Sequence, residues 1–263
     1  MMMRVVRSEL VRLFRPRLLL GWFGLTALFA VMVNMIMFSV ATQQSSAPTG
    51  PGVGFPSAEV LASADGVIAG LSAAASMFGV VTLAFWAIAG ANVYQTGLMR
   101  LLASAQPRRW KLVVGKAITL ALTTAIAATV ALILCIMVAP VAAQGAGIST
   151  DAWGSDGSII ISAWLNAYAA MLVWGAIGLT LAIMFRSSAV AISIGVGYVL
   201  VVESVIGLAL DNPNWLLGST LQALAAGGNA ATSYSSAALL AAVYILVSMI
   251  VATLVTSRRD ITV

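Results

Sequence analysis

Apolar residues run through this chain in long unbroken stretches rather than alternating with polar ones. A transmembrane helix needs about 20 mostly apolar residues, because each residue rises 1.5 Å through a hydrocarbon core about 30 Å thick. Six stretches meet that length: 18–42, 66–91, 117–142, 159–185, 189–210 and 236–256. The first is too long for the apolar core of a cleaved signal peptide, despite the small residues Ser39, Val40 and Ala41 at its end. The pattern predicts an all-α membrane protein of six transmembrane helices forming a single transmembrane domain over 1–263.

Charge sets the orientation of these spans. All 13 lysines and arginines fall in the N-terminal segment, in the connection after the second span, at Arg186 between the fourth and fifth spans, and after the sixth. The other three connections hold none and carry Glu59, Asp65, Asp151, Asp156 and Asp211. Short basic loops stay in the cytoplasm, so both termini are expected there, in a plasma membrane of the bacterial cytoplasmic type.

Composition narrows the chemistry. The chain has 263 residues, 61% hydrophobic and only 8% charged, far below the charged share of soluble domains. Its charge of +5 has no soluble basic surface to occupy, which argues against nucleic acid as a partner. There is no histidine and a single cysteine, Cys135, inside an apolar run. Zinc cages, internal disulfides and serine–histidine catalysis are therefore not expected, and neither is a resident metal or cofactor. Gly115-Lys116 is followed by alanine and lacks the upstream glycine of a phosphate-binding loop, so the chain is not expected to hydrolyse ATP.

Three segments outside the spans have helical periodicity. Over Met3 to Arg15, Val6, Leu10, Leu13 and Phe14 share one face and Arg4, Arg7, Arg12 and Arg15 surround the other, with Pro16 turning the chain into the first span. That pattern suits an amphipathic interfacial helix within 1–17. In the connection 92–116, Leu98, Leu101, Leu102 and Ala105 fall on one face of a short helix ended by Pro107. A third piece, 214–226, repeats Trp215, Leu216, Leu217, Leu221 and Leu224 at near-helical spacing, as expected of a short helix at the outer leaflet.

The connection 92–116 resembles the loop between spans two and three of the permease subunits of type-2 ATP-binding-cassette exporters. Gly97, Leu101, Leu102, Pro107, Arg108, Arg109 and Lys116 follow that family's order, and Ser257-Arg258-Arg259-Asp260 is similar to its basic ending. The family's acid before the glycine is absent, with Asn92 and Gln95 nearest, and Leu98 stands where it has threonine. The resemblance implies that this loop is a cytoplasmic coupling helix whose Gly97, Leu98, Arg100, Leu101, Leu102, Pro107, Arg108 and Arg109 dock on a separate ATPase. It also implies that ATP and magnesium bind that partner, and that two permease subunits, identical or related, pair in the bilayer. The cargo expected of such apolar spans is lipophilic or amphipathic: a drug, an antibiotic or an envelope lipid.

Polar residues inside spans are candidates for a substrate path or a dimer interface, since they are costly in hydrocarbon. Glu203 is the ionisable residue well inside a predicted span, and Asn34 is a weaker polar candidate. Glu203 also supports a different function, a secondary transporter in which its carboxylate carries a proton; a non-transporting scaffold would leave the loop pattern unexplained.

Overall fold

A computed structural model describes residues 2–42, 56–98, 102, 109–154, 156–210, 215–229 and 232–258. Among them there is no strand. The helices are α1 (Met2–Leu13), α2 (Pro16–Ala41), α3 (Ala58–Leu61), α4 (Ala69–Ala73), α5 (Ala75–Gln95), α6 (Trp110–Ala146) and α7 (Gly157–Phe185). Then follow α8 (Ser188–Gly197), a π-helical stretch (Tyr198–Glu203), α9 (Ser204–Ala209), α10 (Leu217–Ala225) and α11 (Tyr234–Arg258).

Six of these helical segments are long and apolar enough to cross a membrane: α2, α5, α6, α7, the segment Ser188–Gly207 and α11. By length and composition the chain is a multi-pass membrane protein. The expected second span begins later than its hydropathy suggests, because the backbone breaks at Ala74 between α4 and α5. The third starts earlier: at 1.5 Å per residue the 37 residues of α6 extend about 55 Å, well beyond a hydrocarbon core.

The centre of the bundle is α5 packed along α7. Apolar surfaces gain little by leaving lipid for one another, so close approach and shape have to hold them together. Here glycines on each helix receive a tryptophan from the other. Gly79 of α5 lies under the Trp174 indole, and Gly175 of α7 lies under Trp86. Gly178 sits against the backbone of Leu83, where no side chain fits. Trp86 Nε1 then donates to Thr124 Oγ1 of α6 at 3.0 Å, and Trp22 of α2 stacks on Phe85 with centroids 3.8 Å apart. The fifth and sixth spans are the least buried.

The helix termini divide into two ends of the bundle. Val5, Val93, Tyr94, Leu98, Leu102 and Leu112 form one apolar cluster, and the Arg186 guanidinium lies over the Tyr94 ring, 5.9 Å from its centroid. This is the basic end. At the opposite end Trp153 Nε1 donates to the Leu61 carbonyl at 2.8 Å, and Asp65, Gln222 and the start of α7 come together.

Candidate functional site

At the basic end, α1 is fastened to α6 by charge. Glu9 is only 3% exposed; its Oε2 accepts from Lys116 Nζ at 2.6 Å and its Oε1 from Arg12 at 2.9 Å. Lys116 Nζ also lies 3.4 Å from the Ala89 carbonyl of α5. Val5 packs on Gly115, the residue before Lys116 on α6, and Thr119 Oγ1 lies 3.3 Å from the Val6 carbonyl. The face of α1 that meets α6 thus runs through Val5, Glu9 and Leu13, four residues apart, whereas Phe14, expected on the apolar face, is 80% exposed. Phe14 lies past the end of α1, and Lys116 supplies the counter-charge that the buried Glu9 carboxylate needs.

The coupling-loop candidates are only partly visible. Gly97 adopts φ +68° and closes α5, its N–H donating to the Tyr94 carbonyl, the left-handed stop that glycine tolerates best. Leu98 and Leu102 pack into the cluster with Val5 and Leu112, and Arg109 is half-buried just before α6. Arg100, Leu101, Pro107 and Arg108 lie outside the described residues.

Glu203 lies at the other end, at the close of the π-helical stretch. Its neighbours Val201, Val202 and Val205 are exposed while Glu203 is 6% exposed, so the wider turn sets the carboxylate facing inward. Oε1 accepts from the Ser219 N–H at 3.0 Å, Gly218 N–H faces the same group, and the absent Gly218 side chain leaves the space it fills. The carboxylate therefore caps the first turn of α10, where helix N–H groups need an acceptor. Oε2 has no partner among the described residues. Tyr198 and Tyr244 complete the clasp: Leu217 N–H donates to Tyr198 Oη at 3.4 Å, and Tyr244 Oη donates to the Trp215 carbonyl at 2.6 Å.

Asn34 belongs to neither place. Fully buried, it donates to the Ala30 carbonyl at 2.8 Å, rests on Gly70 of α4 and lies beside Cys135 of α6. Among the described residues the contacts of Glu203 with Gly218 and Ser219 and those of Asn34 with Ala30, Gly70 and Cys135 do not overlap.

Between α4, α7, α10 and the turn after α3 opens a cavity of about 560 Å³. Asp65, Ser72, Ser162, Asn166 and Gln222 supply polar groups, Ile68, Ala69 and Ala163 an apolar wall. Asn166 Oδ1 accepts from Tyr234 Oη at 2.8 Å, which fixes its amide. A cavity of this size, with few polar groups over an apolar floor, suits a small amphipathic molecule. Among the described residues no group of three metal-ligating side chains converges.

Glu9 is a buried carboxylate that the hydropathy pattern does not single out, since it lies in an N-terminal segment whose other charges are basic. The available signal was that Glu9 is the only acid in residues 1–58 and repeats with Val5 and Leu13 at helical spacing.

Fold and sites thus define a multi-pass membrane protein, helical and without strands among the described residues, with one ion-paired end and one carboxylate-clasped end. The chain belongs to the DUF2705 family, described as protein of unknown function, whose profile matches residues 27–262. No curated protein matches it.

Proposed function

We propose that the chain is the permease subunit of an ATP-driven exporter, non-catalytic itself, pairing with a second permease and with ATPase subunits that bind ATP and magnesium. Its termini and the loop 92–116 face the cytoplasm, and α1 lies along that membrane surface, with Val11 and Phe14 turned outward to lipid. The observation that carries the reading is the juxtaposition at the basic end: Leu98 and Leu102, two residues of the expected docking loop, pack in one cluster with Val5 of α1 and Leu112 of α6. A displacement of the loop would pass directly to α6, and through Glu9 and Lys116 to α1. The outer cavity, amphipathic and acidic at Asp65, supports a lipophilic or amphipathic cargo.

The buried, half-satisfied carboxylate of Glu203 favours a second reading, proton-coupled transport without an ATPase. One experiment separates the two. Tagged protein is purified from mild detergent, co-purifying chains are identified by mass spectrometry, and ATPase activity is assayed, with Leu101→Asp/Leu102→Asp as the control. An ATPase that co-purifies and is lost in the control supports the exporter; a folded preparation that brings down none transfers the weight to Glu203.

A further inference from the structure

A second, smaller cleft opens at the basic end, between α1, the start of α2 and the end of α5, with a volume of about 120 Å³. Arg12, Arg15 and Lys116 all line it, and Glu9 is the only acid among its described lining residues. That one carboxylate is shared by Arg12 and Lys116. Arg15 is held by a neutral partner: its guanidinium donates to the Asn92 amide oxygen at 3.0 and 3.2 Å with the amide oriented to accept. Three cations thus face one anion, and the cleft carries an excess of two positive charges.

An anion with several oxygens matches that excess, and arginine forks bind phosphate oxygens in pairs. The cleft has room for a phosphate group. The walls decide which phosphate. Leu13, Leu18 and Ile88 flank the cations, and Ile88 is 37% exposed on the outer surface of α5, with Leu20 and Leu25 exposed on α2. A soluble anion has no use for such walls. The cleft also lies where α2 begins at Pro16 and α5 ends at Gln95, the ends of two candidate spans, where lipid phosphates are expected.

We infer that this cleft binds the phosphate of an anionic phospholipid, with the acyl chains running down the α2–α5 surface. The lipid would then join α1 to the spans beside the loop 97–109, and the surrounding leaflet composition would set how firmly α1 is held. The inference stands whether or not an ATPase docks on that loop.

The test uses the full chain in mild detergent, titrated with dioleoylphosphatidylglycerol, dioleoylphosphatidylcholine or inorganic phosphate, with bound lipid counted by native mass spectrometry and the unfolding midpoint followed in parallel. Phosphatidylglycerol is expected to bind and raise the midpoint, and phosphatidylcholine and inorganic phosphate at equal concentration are not. Each charge removed, in Arg12→Gln or Arg15→Gln, should weaken phosphatidylglycerol binding about fivefold. Arg15→Lys should retain part of it. Arg17→Gln, on an exposed arginine outside the cleft, should bind as the parent does. Equal losses at Arg17 and Arg15 would show diffuse attraction and overturn the site. Stabilisation by inorganic phosphate alone would overturn the lipid assignment. Arg15 is exposed and joins two helices, so its replacement leaves the core intact and the result readable.

Discussion

Two kinds of residue hold this molecule together where apolar burial alone would not. One is glycine at the α5–α7 contact. A methyl group at Gly178 would meet the carbonyl of Leu83, and backbone cannot step aside as a side chain can. Gly178→Ala should therefore destabilise the protein by about 1–3 kcal/mol, the usual cost of overpacking, read as a lower unfolding midpoint in detergent. The corresponding change at Gly21, which has open space around it, should leave the midpoint nearly unchanged. The other kind is the buried ion pair. Lys116→Met leaves Glu9 with Arg12 alone and should cost on the order of 2 kcal/mol of α1 docking, seen as lost hydrogen-exchange protection in Met2–Leu13. Adding Glu9→Gln to Lys116→Met should recover part of that loss, because the uncompensated charge is gone.

Elements here are pinned at their first turns. Helix α10 is held by a side chain from another element, and Glu203 substitutes for a local cap. Glu203→Gln keeps an acceptor oxygen for the Ser219 N–H and should retain α10, whereas Glu203→Ala should expose the amides of Gly218 and Ser219 to exchange. If Glu203 instead carried protons for transport, the glutamine variant would be as inactive as the alanine one. Helix α7 has an ordinary cap: the Asp156 carboxylate accepts from the Ser158 N–H at 2.9 Å, and that hydrogen bond holds the carboxyl below its usual range. A depressed value means the cap contributes fully above the unfolded carboxyl's value and is lost as pH falls through the folded one. Protection of the Ser158 amide, taken relative to its intrinsic exchange rate, should fall on acidification in the parent, and Asp156→Ala should lack that protection at every pH.

For the whole molecule, the separation of basic from acidic connections predicts which end faces which compartment. Cys135 is fully buried on α6, so the parent protein should be silent to a membrane-impermeant maleimide. Ser149→Cys, at an exposed turn of the acidic end, should label in intact cells. Gln95→Cys, at the basic end, should label only after the membrane is opened. The reverse result would invert the orientation on which both the docking loop and the lipid cleft depend.

How much of this was legible along the chain follows from the range of each interaction. Hydropathy acts on every residue of a span and sums locally, so the positions of the spans, the short helix near 217–225 and the sorting of charge could all be read from sequence. Helix ends were less legible, because the break at Ala74 and the early start of α6 at Trp110 depend on what packs beside them. Partners across the fold were not legible at all. Glu9 and Lys116 are separated by 107 residues, and Glu203 meets Ser219 only because a π turn rotates it inward and Gly218 leaves it room. The sequence by itself determined that six segments are long and apolar enough to cross a membrane and that basic and acidic connections are sorted apart, since both follow from local composition. Tertiary structure alone decided which charges are buried, which are matched and which remain in excess at the cleft, since those depend on distances that no local pattern encodes.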